Sequence, residues 1–292
     1  MKKKDLLYTI IFIIFIGLLI FTKYYSFSDT KEEPVVSEDL KIYFFDVGQA
    51  ESILITNNGH NMIIDAGNNV DGSKLVKFIK DELKINKFDY VISTHPHEDH
   101  IGGIDNIIKT FEIDNIYMPD LTTTTKSYTD VLNAIEKKKL SITIPKIDEV
   151  FTMGDCTFKV IYTGNNEEDL NGSSIILRMD YKDTSYLFTA DTTYDTEQMI
   201  LDKDIDVDVL KVAHHGSKHA SSYNFLKQVN PKYAIISCGK DNDYNYPHES
   251  TLKRIKQFTD KIYATKELGT IILTSDGKNI EIDNIETDTD GK

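Results

Sequence analysis

Seven of the chain's eight histidines fall in three short stretches. His95, His97 and His100 lie in STHPHEDHIGG, His214, His215 and His219 in LKVAHHGSKH, and His248 in NYPHEST. The first two stretches directly follow apolar runs of strand character. Only His60 stands elsewhere, in a hairpin turn, where it is expected to face solvent. Layered α/β folds build their sites at the ends of strands. The chain must therefore bring strand ends that are distant in sequence to one place.

The pattern around these stretches supports such a fold. KIYFFDV, SILIT and NMIID read as three successive strands, and SKLVKFIKDEL places Leu75, Phe78, Ile79 and Leu83 on one helical face. DYVIST is the next strand and ends in the first histidine stretch. A helix from about Ile101, a strand NIYM and a helix over 126–139 follow. The middle is strand-rich (SITIP, EVFTM, TFKVIYT, SSIILRM, SYLFTA), and alternation of strand and helix then resumes. GTIILTS and NIEID close the pattern. Strands and helices repeated in two halves predict two sheets packed face to face with helices outside. No short repeat period is visible, which argues against solenoids and propellers.

The N-terminus has a separate character. Lys2, Lys3 and Lys4 precede an apolar run from Leu6 to Phe21, with Tyr24 and Tyr25 beyond it. Residues 1–27 are expected to form a single-pass membrane anchor with the N-terminus inside and the body outside. A cleaved signal segment is the rival, with Ser26-Phe27-Ser28 as the site, and the body would then be secreted. Residues 28–40 read as a polar tether, 41–284 as the folded domain and 285–292 as an acidic tail. A net charge of −14 argues against a basic surface that grips duplex nucleic acid. Cys156 and Cys238 are expected to be buried free thiols, with pairing as the other option.

His95 and His97 alternate in an extended segment, so both rings can point to one side. Pro96 favours extended geometry at His95. Asp99 and His100 follow as the chain turns into a helix, and Gly102-Gly103 permits close backbone approach. Such donors suit one or two divalent ions of the zinc or manganese kind. The plainer alternative is a helix-capping Asp99 among exposed histidines.

The run His95-Pro96-His97-Glu98-Asp99-His100 resembles the HxHxDH signature of the metallo-β-lactamase superfamily. FFDVGQAESILI, IIDAG, NGSSIILR, LFTADT and LKVAHHGS follow one another as in the hydrolase domain of ComEC-type DNA-uptake competence proteins. The resemblance covers essentially residues 41–280. It implies a four-layer αββα sandwich and a hydrolase that uses two divalent metal ions, zinc foremost and manganese as the other option. It assigns His95 and His97 to the first metal, Asp99, His100 and His215 to the second, and Asp191 as the bridging carboxylate. It makes Asp65 the aspartate that holds a ligand histidine from behind. His214 and His248 become candidates for proton transfer beside Asp99, and Ser217 a substrate contact. Most superfamily members supply a third histidine to the first metal, but here no histidine lies between His100 and His214. Water, Asn171 or Ser173 is expected to complete that site.

This donor set implies hydrolysis by hydroxide held on the metals. The resemblance favours a phosphodiester, either single-stranded nucleic acid or a small diester. Tyr223, Tyr244 and Tyr246 are stacking candidates, and Lys211 and Lys218 a local cationic patch on an acidic surface. A carbonyl hydrolase of the lactonase or lactamase type is the alternative on the same ligands. A membrane-anchored binding protein with a degenerate site is a third reading. No protein partner can be inferred.

Overall fold

The computed structural model describes residues 39–285. The anchor expected over 1–27, nearly all of the tether and the tail beyond 285 lie outside the described residues. Among those described, no helix is long and apolar enough to cross a membrane.

The first half of the domain carries β1 (Leu40–Phe44), β2 (Ile53–Asn57), β3 (His60–Ile64), β4 (Lys87–Ile92), β5 (Glu112–Tyr117) and β6 (Ile142–Thr143). The second half carries β7 (Val150–Met153), β8 (Cys156–Tyr162), β9 (Ile176–Tyr181), β10 (Thr184–Phe188), β11 (Val209–Lys211), β12 (Tyr233–Ile236) and β13 (Ile262–Ala264). Two closing strands, β14 (Thr270–Ser275) and β15 (Ile280–Ile285), return to the first sheet. Its order is β15-β14-β1-β2-β3-β4-β5-β6, and that of the second is β13-β12-β11-β10-β9-β8-β7.

Strand alternation decides which face each residue serves. In β1, Ile42 and Phe44 join the cluster between the sheets, with Phe158, Leu177, Met179 and Tyr186 opposite. Tyr43 and Phe45 point the other way, to the cluster shared with Leu75, Ile79, Val131 and Ile135. Those residues come from α1 (Gly72–Asp81) and α4 (Lys126–Lys138). A third cluster places Leu187, Leu210 and Ile236 of the second sheet against Phe225, Leu226 and Ile255. The latter belong to α6 (Tyr223–Val229) and α7 (Glu249–Ile255). Three apolar interfaces define the four-layer αββα sandwich.

The ends of elements follow local chemistry. Thr125 caps α4 by accepting the Tyr128 N–H, and Lys139 closes it in the left-handed conformation. The helix read over SKLVKFIKDEL stops at Asp81, so Leu83 packs from the following loop. Leu40, assigned to the tether, instead begins β1, because it is fully buried and pairs with Ser275. Ile285, assigned to the tail, ends β15 opposite Thr270. SITIP yields only the two-residue β6, since Pro145 has no N–H to continue the ladder. Cys156 and Cys238 are buried and free.

One buried acid makes this scaffold sensitive to pH. Glu197, in α5 (Tyr194–Met199), is fully buried and accepts the N–H groups of Ser221 and Ser222. Arg254 clamps the same loop, donating to Ser221 O and Ala220 O at 2.9 Å each. Burial pushes the Glu197 carboxyl up to about 7 from its ordinary 4.5, against the opposing pull of those N–H groups and Arg254. The stability tied to this proton is therefore fully present below 4.5 and lost as pH rises through about 7. The expected loss is about 3 kcal/mol. Urea titrations across that range should show Glu197→Gln losing less stability than the parent. Parallel declines would remove Glu197 as the cause.

Candidate metal centre

The strands that end at the site are β3, β4, β10 and β11. β3 runs parallel to β4 in one sheet, and β10 to β11 in the other. Asp65 follows β3, and the His95–His100 stretch follows β4 into the short α2 (Glu98–Ile101). Asp191 follows β10, and His214 and His215 follow β11. The α2 turn sits tightly on the 66–72 loop. A Cβ on Gly102 would lie 2.3 Å from Asn69 N, and one on Gly103 2.3 Å from Ala66 O.

Asp99, His100, Asp191 and His215 converge so that one donor atom from each lies within 4.8 Å of the others. His100 Nε2 is 3.3 Å from Asp191 Oδ1, and His215 Nε2 is 3.4 Å from Asp99 Oδ2 and 3.6 Å from Asp191 Oδ1. His100 Nε2, Asp191 Oδ1 and His215 Nε2 are all buried and make no hydrogen bond. Orphaned buried polar atoms are rare in native proteins. Three that face one another fit a divalent cation, whose donors in a tetrahedral shell stand roughly 3.3 Å apart for bonds of about 2.0–2.1 Å.

The other ring nitrogens are committed. His100 Nδ1 lies 2.7 Å from Asp65 Oδ2, and His215 Nδ1 lies 2.8 Å from the Ser237 carbonyl. Both partners accept, so both rings carry hydrogen at Nδ1 and turn Nε2 to the centre. Asp65 is wholly buried and also accepts the Thr94 N–H at 2.8 Å and the Thr94 hydroxyl at 2.6 Å. Since Thr94 Oγ1 donates to Asp65, it accepts from His95 Nδ1 at 3.1 Å. His95 Nε2 is thereby left as an acceptor, 3.1 Å from His97 Nδ1. These two nitrogens form a second, smaller donor pair beside the first group. Asp65→Asn is expected to weaken metal affinity by about 10–100-fold, as read by competition with a chelating dye. Unchanged affinity would leave Asp65 a turn-former only.

Charge within the group is coupled. Burial would raise the carboxyls of Asp99 and Asp191, yet the imidazoles of His100 and His215 outweigh it and hold both below the usual range. Burial works against charge on His100 too, but Asp191, Asp65 and Asp99 raise it well above its ordinary value. Burial, with His100 and His97 beside it, holds His95 well below its ordinary value against the opposing pull of Asp191 and Asp99. The cluster attracts positive charge.

The backbone is bent to serve this arrangement. Asp65, Ala190, His214 and His215 all have positive φ, at 57°, 46°, 50° and 52°. Each such position costs about 1–3 kcal/mol and persists only where the surroundings over-determine it. Gly216 continues the turn at φ 84°, close against Pro247.

The donors open into a cavity of about 320 Å³. His97, Asp99, Asn171, Asp191, His214 and His215 line it, together with Gln49, Glu98, Tyr244 and Tyr246. Asn171 Oδ1 is buried without a partner, as expected of a group facing a ligand. His214 Nε2 lies 3.6 Å from Asp191 Oδ2 and 3.4 Å from the Tyr246 hydroxyl. Tyr244 stacks on Tyr246 with ring centroids 5.3 Å apart and stays 60% exposed.

Several expected residues are placed elsewhere. Ser173 Oγ accepts from Asn166 N–H and donates to Asn166 O, closing its own loop. Ser217 is fully buried and its hydroxyl accepts from the His219 N–H. Neither lines the cavity. His248 Nδ1 accepts the Lys218 N–H at 3.1 Å, and its ring packs on Tyr246 from outside the cavity lining. Tyr223 lies on α6 against Phe258. Lys211 is no surface cation: it is 1% exposed and paired with the fully buried Glu51. His60 is half exposed, with Asp89 2.8 Å away. Gln49 and Glu51 escaped the sequence reading, although both lie in the DVGQAES turn quoted for the resemblance.

Comparison with known proteins adds to this geometry. The model of the metallo-β-lactamase superfamily matches residues 45–240. The chain is 28% identical over 258 residues to ComE operon protein 3 of Bacillus subtilis, covering 82% of this chain and 33% of that protein. It is 27% identical over 253 residues to Recombination protein 2 of Haemophilus influenzae, covering 83% and 30%. It thus spans about a third of the length of these relatives. The metallo-β-lactamase fold protein YhfI of Bacillus subtilis matches with a TM-score of 0.56 at 16% identity, over 82% of this chain and all of that one. CmlA, a diiron β-hydroxylase of Streptomyces venezuelae, matches at TM-score 0.52 and 13% identity, over 80% and 53%. The last two likenesses concern the fold.

Proposed function

Since the chain belongs to the metallo-β-lactamase superfamily and is ComEC-like within it, we propose that this hydrolase is a phosphodiesterase that loads two divalent ions, zinc foremost. The observation that carries the reading is the convergence of His100 Nε2, Asp191 Oδ1 and His215 Nε2, buried and unpartnered, beside Asp99. Asp99, His100, Asp191 and His215 would hold one ion, and His95 and His97 the other, with Asn171 offering its amide oxygen. Ions bound there supply Lewis acidity and an acidified water at neutral pH.

The chain's own groups do the rest. Asp65 and the Ser237 carbonyl hold protons on Nδ1 of His100 and His215, so that Nε2 faces the centre in the required tautomer. We assign proton delivery to the leaving oxygen to His214 rather than His248. His214 lines the cavity within 3.4 Å of the Tyr246 hydroxyl, whereas His248 spends Nδ1 on a backbone N–H outside it. The stacked Tyr244–Tyr246 pair supports a substrate bearing a planar base. The name of Recombination protein 2 and the resemblance to DNA-uptake competence proteins support a nucleic acid as that substrate. With Lys211 buried, Lys218 is the remaining cation of the expected patch, which favours a short single strand or a small diester over duplex.

The test is hydrolysis of bis(p-nitrophenyl) phosphate with zinc or manganese, run beside a lactone and a β-lactam. Metal-dependent turnover of the diester is expected, with His214→Ala more damaging than His248→Ala. Turnover of the carbonyl substrates alone would make this a carbonyl hydrolase. Neither metal uptake nor turnover would leave a binding protein with a degenerate centre.

A further inference from the structure

The two sheets end on a shared side of the sandwich. β6 is the last strand of the first sheet and β7 the last of the second, and residues 144–149 carry the chain from one to the other. Along this edge Ile142, Ile144, Ile147 and Val150 are 39%, 50%, 45% and 58% exposed. They are half of the large apolar side chains exposed among the described residues. Single exposed aliphatics need no explanation, but four within residues 142–150 form a patch that does.

The charges beside them are equally unusual for an acidic chain. Lys137, Lys138, Lys139 and Lys146 are all exposed. Of the acids in the same stretch, Glu136 is exposed beside Lys137, and the other two are occupied. Asp148 pairs with Lys159 at 3.0 Å and Lys203 at 2.9 Å, and Glu149 accepts from the Tyr117 hydroxyl and the Lys146 N–H. Lys138 donates to the Phe111 carbonyl, whereas Lys137, Lys139 and Lys146 enter no ion pair among the described residues. The edge is thus cationic and aliphatic at once.

A peptide strand is a poor fit for this edge, because β6 has two residues and Pro145 interrupts the ladder beyond it. Aliphatic side chains set among lysines are the pattern of an interfacial contact. We propose that this edge docks on an anionic lipid surface. Ile142, Ile144, Ile147 and Val150 enter the boundary between headgroups and acyl chains, and Lys137, Lys139 and Lys146 meet the headgroups. None of these residues lines the metal cavity, so the proposal stands apart from the hydrolase reading. It also makes no use of residues 1–27.

The test reads the edge itself in the full chain. Ile144→Cys carries a solvatochromic dye; the native thiols are fully buried and stay unlabelled. A matched label at Val70→Cys, 77% exposed, serves as the control. On vesicles of phosphatidylcholine with phosphatidylglycerol, the dye at 144 should shift to the blue and revert in high salt, while the dye at 70 should not shift. Lys137→Glu, Lys139→Glu and Lys146→Glu together should weaken docking about a hundredfold, at about fivefold per lysine. Unchanged circular dichroism certifies that variant, and the salt reversal tests the same charges without it. An equal shift on phosphatidylcholine alone, or no shift on either, overturns the proposal. A blue shift before lipid is added also overturns it and assigns the edge to a second copy of the chain.

Discussion

Asp191→Asn should lower metal-dependent hydrolysis by about a thousandfold, the equivalent of roughly 4 kcal/mol of transition-state stabilisation. Asp191 is 2% exposed and central to the group, with Oδ1 3.3 Å from His100 Nε2 and 3.6 Å from His215 Nε2, and Oδ2 3.6 Å from His214 Nε2. The amide keeps the shape and removes the charge, so packing is spared while the centre loses an anion. Metal content per chain should fall by one ion, with the fold retained by circular dichroism. Full metal content with full turnover would show that the aspartate serves only the turn into α5. Turnover lost with both ions retained would give it a part in the reaction beyond holding metal.

Lys211→Met is expected to have the largest effect on stability. Glu51 and Lys211 are both buried and bonded to each other, and the lysine also donates to the Val212 carbonyl at 3.1 Å. Removing only the lysine leaves a carboxylate with no counter-charge, a change that costs about 3–5 kcal/mol. The melting temperature of a domain this size should drop by roughly 10 °C. Glu51→Gln with Lys211→Met should recover most of the loss, because the penalty belongs to the stranded charge rather than to the missing bond. A double variant as unstable as the single one would contradict this account. The pair also joins the two halves of the site. Glu51 donates its N–H to Asp99 O and accepts from Gly67 N–H, while Val212 leads into the turn bearing His214 and His215.

What the sequence disclosed depended on distance along the chain. His95, His97, Asp99 and His100 could be read as donors because a single strand and a single turn set their orientation. Asp65 could be reached only through the resemblance carried by IIDAG, because on its own a strand-end Asp before Gly67 reads equally as a turn-former. Lys211 was misjudged because its partner lies 160 residues away, and nothing in LKVAHHGS marks the lysine as inward-facing. In β11, a buried parallel strand, every side chain is enclosed whichever way it points, so alternation says nothing about it. Ser173 lies beside an expected motif, but hydroxyls satisfy the nearest backbone first, and it is spent that way, while Ser217 accepts a backbone N–H and reaches the site only through its bond to Tyr246. The left-handed pair His214-His215 had no local signal either. Only Gly216 after them hints at a tight bend, and the conformation is imposed by contacts such as His214 N–H to Ala190 O.

The donors divide between the layers, with His95, His97, Asp99 and His100 following strands of the first sheet and Asp191 and His215 following strands of the second. The group of four that converges is split two and two, so neither sheet alone holds it. During folding that group is therefore complete only after the two sheets have docked. A chain whose sheets have not yet met has no working centre. By the same ordering, separation of the sheets would extinguish hydrolysis before either sheet had lost its own structure.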